Sequence, residues 1–128
     1  MRFNCNGLQL DIELAHLVIA GWTGRDEAAI RHHIDELAAI GVTPPSATPL
    51  FYRVAGALLT SAPRIEVVGN GSSGEVEPLI VQVGNRRWLG LGSDHTDRTL
   101  ETHSVALSKQ VCAKPCALEL WELSLIHI

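Results

Sequence analysis

Several common signatures are absent from this 128-residue chain. No stretch is long and apolar enough to span a bilayer, since a helical span needs about 20 such residues. The start, Met1-Arg2-Phe3-Asn4-Cys5-Asn6-Gly7, has no apolar run behind a basic opening, so it does not read as a secretory leader. There is no run of lysine and arginine, and the ten basic residues are interspersed among fourteen acidic ones for a net charge of −4. A nucleic-acid partner therefore lacks its electrostatic footprint. Cysteine is scarce and odd in number: Cys5 stands alone, and Cys112 and Cys116 are spaced C-x-x-x-C without a second Cys/His pair. That pattern favours reduced thiols over a disulfide framework or a zinc site. Internal repeats and low-complexity segments are also missing. Cytoplasmic localisation is the expectation these absences leave.

What is present is ordinary globular material. Apolar residues make up 46% and charged residues 19%, enough for one domain with a buried core. Asn6-Gly7 between Arg2–Cys5 and Leu8–Leu14 predicts a tight hairpin, with Leu8, Leu10, Ile12 and Leu14 on one face. His16 to Ala20 reads as a short buried strand ending at Gly21-Trp22. A helix follows, with Thr23 as its cap, Asp26 near its positive end, Ile30, Ile34, Leu37 and Ala38 on one face, and Gly41 as its stop. Pro49 to Val54, Arg64 to Val68, Glu75 to Val83 and Arg87 to Leu91 read as extended. Gly69 to Gly74 and Gly92 to Arg98 read as loops, and Asp97 to Gln110 as a second helix. The order of elements predicts an α+β fold with mostly antiparallel strands and two main helices. The residues from Cys116 to Ile128 are apolar and offer no evident closing element.

Four places could carry chemistry. Glu75 and Glu77 are two apart, so on a strand both point to one face. Such a pair repels itself unless water solvates it or a hard cation such as Mg²⁺, Mn²⁺ or Ca²⁺ neutralises it. Asp94, between a strand and a helix, is a candidate third carboxylate. Its neighbour Asp97 reads as a helix cap, and His95 as either a supporting group or a surface residue. Arg98 opposes the dipole of the helix it begins, which suits a specific anionic partner. Lys109 stands close to three turns beyond Arg98 and could face the same side, although a lysine near a helix C-terminus also suits solvent. Glu27, His32 and His33 suit acid–base chemistry, against the alternative of a plain wet helix face.

At these residues the chain resembles the fumarylacetoacetate hydrolase superfamily, and more closely an uncharacterised bacterial branch of it. The resemblance runs from about His16 to Trp121. It is carried by Gly21-Trp22-Thr23-Gly24-Arg25-Asp26, Pro49-Leu50-Phe51-Tyr52-Arg53, Glu75-Val76-Glu77, Ser93-Asp94-His95-Thr96-Asp97-Arg98 and Lys109, in that order. It implies the first part of that superfamily's fold. It also implies Glu75, Glu77 and Asp94 as ligands of Mg²⁺ (or Mn²⁺ or Ca²⁺), with Arg98 and Lys109 holding a 2-oxo acid. The family's catalytic histidine has no single counterpart, and Glu27, His32 and His33 stand nearest. The implied activity is metal-dependent cleavage of an acylpyruvate-type C–C bond, or decarboxylation or tautomerisation through an enolate. A non-catalytic binding or assembly module, or an inactive fragment, is the alternative. The single domain, residues 1–128, is expected to be incomplete, with 122–128 a non-native ending. A full-length form would be a homodimer. No nucleic acid or membrane partner is expected.

Overall fold

The computed structural model describes residues 1–124. The α+β class is as read, mostly antiparallel, with three helices of which one is long. β1 (Arg2–Cys5) and β2 (Leu8–Asp11) form the expected hairpin. Asn6 and Gly7 take φ of 51° and 79°, as a type I′ turn requires. The second strand stops at Asp11 rather than Leu14, and Leu8 is exposed while Ile12 is buried.

β3 (Leu17–Gly21) pairs antiparallel with β4 (Leu50–Val54). Between them lies α1 (Glu27–Ala39). Its cap is Asp26, not Thr23: the Asp26 carboxylate accepts from the amides of Ala28 and Ala29 at 2.9 and 3.3 Å. A carboxylate at this position satisfies two free amides and also meets the positive helix end, which a threonine hydroxyl does less well. Gly41, at φ 97°, ends the helix as expected. No residue of α1 is fully buried, so its apolar stripe is only partly covered.

A 3-10 turn at Gly56–Leu58 leads into β5 (Leu59–Thr60). Arg64 to Val68 is not a strand but an exposed irregular segment, with Ile65 alone half-buried. β6 (Ser72–Val83) and β7 (Arg86–Asp97) then form a long antiparallel hairpin around Gly84. β7 runs through the segment read as a loop, and Asp94 therefore lies on a strand. The second helix is broken into α2 (Arg98–Glu101) and α3 (Val105–Gln110), capped by Asp97 and Ser104. Beyond them β8 (Lys114–Pro115) pairs parallel with β5, and β9 (Trp121–Leu123) adds to the free edge of β7. The end of the chain thus supplies a closing strand where none was read. Residues 125–128 of the suspected non-native ending lie outside the described residues.

No helix among the described residues is long and apolar enough to cross a membrane. The core joins Phe3, Ile12, Leu17, Ile19, Val54, Leu59, Val81, Trp88 and Leu120. Leu120 is its keystone. It is 1% exposed, its amide donates to the Asn4 carbonyl at 2.8 Å, and it lies so close over β7 that a Cβ at Gly90 would come within 2.7 Å of it. Leu120→Ala should cost about 2–5 kcal/mol, the range for truncating a fully buried leucine. Urea denaturation of the variant against the parent chain measures this directly.

Candidate functional site

The register of the long hairpin builds the site. Glu75 stands opposite Asp94, and Glu77 opposite Gly92. Paired residues share a face, and residues two apart on a strand share a face. Glu75, Glu77 and Asp94 therefore all project from the same side, the side that carries Val81 and Trp88 further along. His95 projects from the other side, where its Nδ1 lies 3.3 Å from Ser72 Oγ. It is not part of the acidic group.

All three carboxylates line one cavity of about 130 Å³. Arg98, Glu101 and Lys109 complete its charged lining, and Trp22, His33 and Leu37 line it as well. Arg98 and Lys109 reach one cavity although the helix expected to align them is broken. α2 and α3 instead fold back against β7. A larger cavity of about 490 Å³ lies between α1 and residues 44–48, with Glu27, Arg31 and Asp35 in its lining. The smaller one gathers more charge, with four acids and two cations in its lining.

Asp94 is 4% exposed and sits between two lysines. Lys109 Nζ donates to Asp94 Oδ2 and lies 3.4 Å from Thr96 Oγ1. Lys114 Nζ lies 3.1 Å from Asp94 Oδ1 and donates to the His95 carbonyl. The Lys114 contact is ionic rather than a well-aimed hydrogen bond, so Asp94 Oδ1 accepts none from the protein. Lys114 is 2% exposed, and burial pushes its pKa down while the adjacent Asp94 carboxylate holds it up. Sequence reading missed this residue. Arg98 bridges the other two acids, donating to Glu75 Oε1 at 3.0 Å and to Glu101 Oε2 at 3.0 Å. Glu101, 5% exposed, was missed as well.

Glu77 is the remaining carboxylate, and among the described residues no arginine or lysine is paired with it. Burial pushes its pKa up, and the charges of Asp94 and Glu75 add to that, against a weaker pull from Lys109 and Lys114. Four acids thus face three cations, and the surplus negative charge sits on Glu77.

The other acid–base candidates separate. His33 lines the site. His32 is one residue away, about 100° round the helix, and turns to Glu36 at 3.1 Å in solvent. Glu27 lines the larger cavity instead.

Three carboxylates on one face and an excess of negative charge are the kind of donor set that a hard divalent cation uses. In the arrangement present, Glu75 turns to Arg98 and Asp94 to the lysines. Among the described residues no three acidic, His or Cys side chains are grouped closely enough to hold an ion.

Residues 20–127 match the family described as "Protein of unknown function (DUF2848)". The chain belongs to this family. The match covers every site residue named above, from Trp22 to Lys114. It overturns the resemblance to the fumarylacetoacetate hydrolase superfamily, to which nothing links DUF2848 here. The motifs behind that resemblance are one to six residues each, and a strand E-x-E or a helix-capping Asp recurs for local reasons in unrelated folds. No curated protein and no solved structure matches.

Replacing Lys114 by methionine in this DUF2848 chain leaves the Asp94 oxygen and the His95 carbonyl without their cation. Breaking a buried pair in this way should cost about 3–5 kcal/mol in chemical denaturation. Asp94→Asn combined with Lys114→Met should cost less than the two single losses together, because both remove the same charge pair.

Proposed function

We propose that this cavity is the active site of a divalent-metal-dependent enzyme that acts on a small 2-oxo acid or a similar carboxylate with a neighbouring oxygen. The observation that supports this reading is Glu77: a half-buried carboxylate beside two others, without a protein cation of its own among the described residues. Glu77, Glu75 and Asp94 would hold the metal. A bound Mg²⁺ or Mn²⁺ would supply Lewis-acid stabilisation of negative charge developing on substrate oxygens.

The rest of the chemistry belongs to the chain. Lys109 and Arg98 offer positive charge in a small cavity with restricted water, where it acts more strongly than in bulk. Both are already engaged, so an anionic substrate would compete with Asp94 and Glu75 for them and release those carboxylates toward the metal. His33, also in the lining, is the group placed to carry a proton to or from the substrate.

A second reading, a non-catalytic small-molecule binding module, is favoured by one fact: Asp94 and Glu75 already have protein cations. Metal-dependent turnover of any 2-oxo acid would exclude it.

Calorimetry with Mn²⁺ tests the proposal. One site is expected, lost in Glu77→Gln and weakened in Glu75→Gln. Affinity should rise with pH through the raised Glu77 pKa, because the proton and the metal compete for the same oxygens. Without metal, the raised pKa means the folded chain holds this proton more tightly than the unfolded chain. The Glu77 contribution to stability therefore falls as pH climbs from the ordinary glutamate value through the folded one. Glu77→Gln should then melt slightly higher than the parent at neutral pH while binding no Mn²⁺. An absence of Mn²⁺ binding, or binding indifferent to both substitutions, would refute the metal site.

A further inference from the structure

The cavity is also lined by an aromatic residue, Trp22. Trp22 sits at φ 59°, in the left-handed region that a bulky residue adopts only when its surroundings hold it there. Two contacts do so. Its indole Nε1–H donates to Tyr52 Oη at 2.8 Å, and its ring centroid lies 5.8 Å from that of His33 on α1. The indole is thus held in place in the lining of the cavity that also contains Glu75, Glu77 and Asp94.

Tyr52 is itself fixed. It is the one tyrosine in the chain, on β4 opposite Ile19 of β3. Its ring packs onto the backbone of Gly21, where a Cβ would approach its Cε2 to 2.8 Å. That close approach explains glycine immediately before Trp22. The same ring lies 5.7 Å from Lys109 Nζ, within cation–π range. One side chain therefore braces the aromatic wall at its hydroxyl and the site's lysine at its face.

We propose that Trp22 and Tyr52 form a positioning unit that selects small, flat carboxylates. Trp22 is the surface against which the ligand plane rests, and Tyr52 keeps that surface and Lys109 in fixed relation. The cavity, at about 130 Å³, matches a ligand of about six heavy atoms, since a cavity near 150 Å³ accommodates benzene. A planar ligand can lie against the indole while its carboxylate oxygens meet Lys109. A tetrahedral or branched analogue of equal charge cannot do both. The inference rests on the cavity being a ligand site, as proposed above.

Oxalate, planar and of the right size, is the probe, titrated into the chain saturated with Mn²⁺. Indole fluorescence and calorimetry are read together. In the parent chain oxalate should bind and change the emission. Trp22→Phe should abolish that spectral change and weaken oxalate several-fold, and Trp22→Ala should weaken it at least about tenfold. Tyr52→Phe deletes only the hydroxyl and should cost about three- to tenfold, the worth of one hydrogen bond. Mn²⁺ affinity should be unchanged in all three variants. Oxalate affinity equal to the parent's in Trp22→Ala and Tyr52→Phe would overturn the positioning unit and leave the metal site standing. Parallel loss of Mn²⁺ and oxalate would also overturn it, by showing a general structural role. A parent chain that binds Mn²⁺ but not oxalate overturns the positioning unit alone. One that binds neither overturns the site reading and this inference with it.

Discussion

The buried carboxylate of Asp94 organises the charged half of the molecule. It lies on the covered face of β7 with one lysine from α3 and another from β8 closing on it. Bringing these ions out of water carries a penalty of several kcal/mol each, which their mutual attraction offsets only in a tight, well-satisfied arrangement. Such an arrangement has few solutions. It holds α3 and the start of β8 against one spot on β7, and it anchors the lysine of β8 to the His95 carbonyl as well. The short parallel pairing of β8 with β5 and the bridge between Gly92 and Cys116 then follow the same path of chain.

This constraint also decides how the remaining acids are distributed. With two lysines committed to Asp94, Arg98 is left to serve both Glu75 and the buried Glu101. Among the described residues no lysine or arginine is left to pair with Glu77. Its position on β6 next to Glu75 and diagonal to Asp94 makes it the place where the excess charge of the site collects. A proton or a cation relieves it. The acidic excess at Glu77 is thus a consequence of how Asp94 is satisfied rather than a separate feature.

The parts of this that could be read from sequence are those with local causes. Asn6-Gly7 forces its turn, Gly41 ends its helix, and Glu75 and Glu77 share a face because a strand repeats every two residues. The α+β class follows from the same local patterns. What could not be read depends on tertiary contact. Gly92 and Ser93 look like loop residues, yet β7 runs through them because the whole stretch pairs with β6, from Gly92 opposite Glu77 to Asp97 opposite Ser72. Asp94 and Lys109 were recognisable as candidate site residues though not as partners, and Lys114 was not, since it lies in an unpatterned stretch between two cysteines. Glu101 resembles any glutamate in a first helical turn until Arg98 is seen to close on it. The likeness to another superfamily failed for a related reason: short motifs in the right order carry little information unless their spacing and surroundings also agree.

The long hairpin explains why core and site are inseparable here. One face of β6 and β7 changes character along its length. Toward the turn it carries Val81 and Trp88 and packs on Leu120. Toward the far end the same face carries Glu77, Glu75 and Asp94. No loop intervenes between the two halves, so the acids are mounted on strands whose position is set by the apolar packing a few residues away. That gives the site a rigid floor, which loops provide less well. It also removes water from one side of Glu77, which is why burial is the leading cause of its raised pKa. A change in the core around Leu120 therefore acts on the site through the register of two strands, with no need for a direct contact to any charged group.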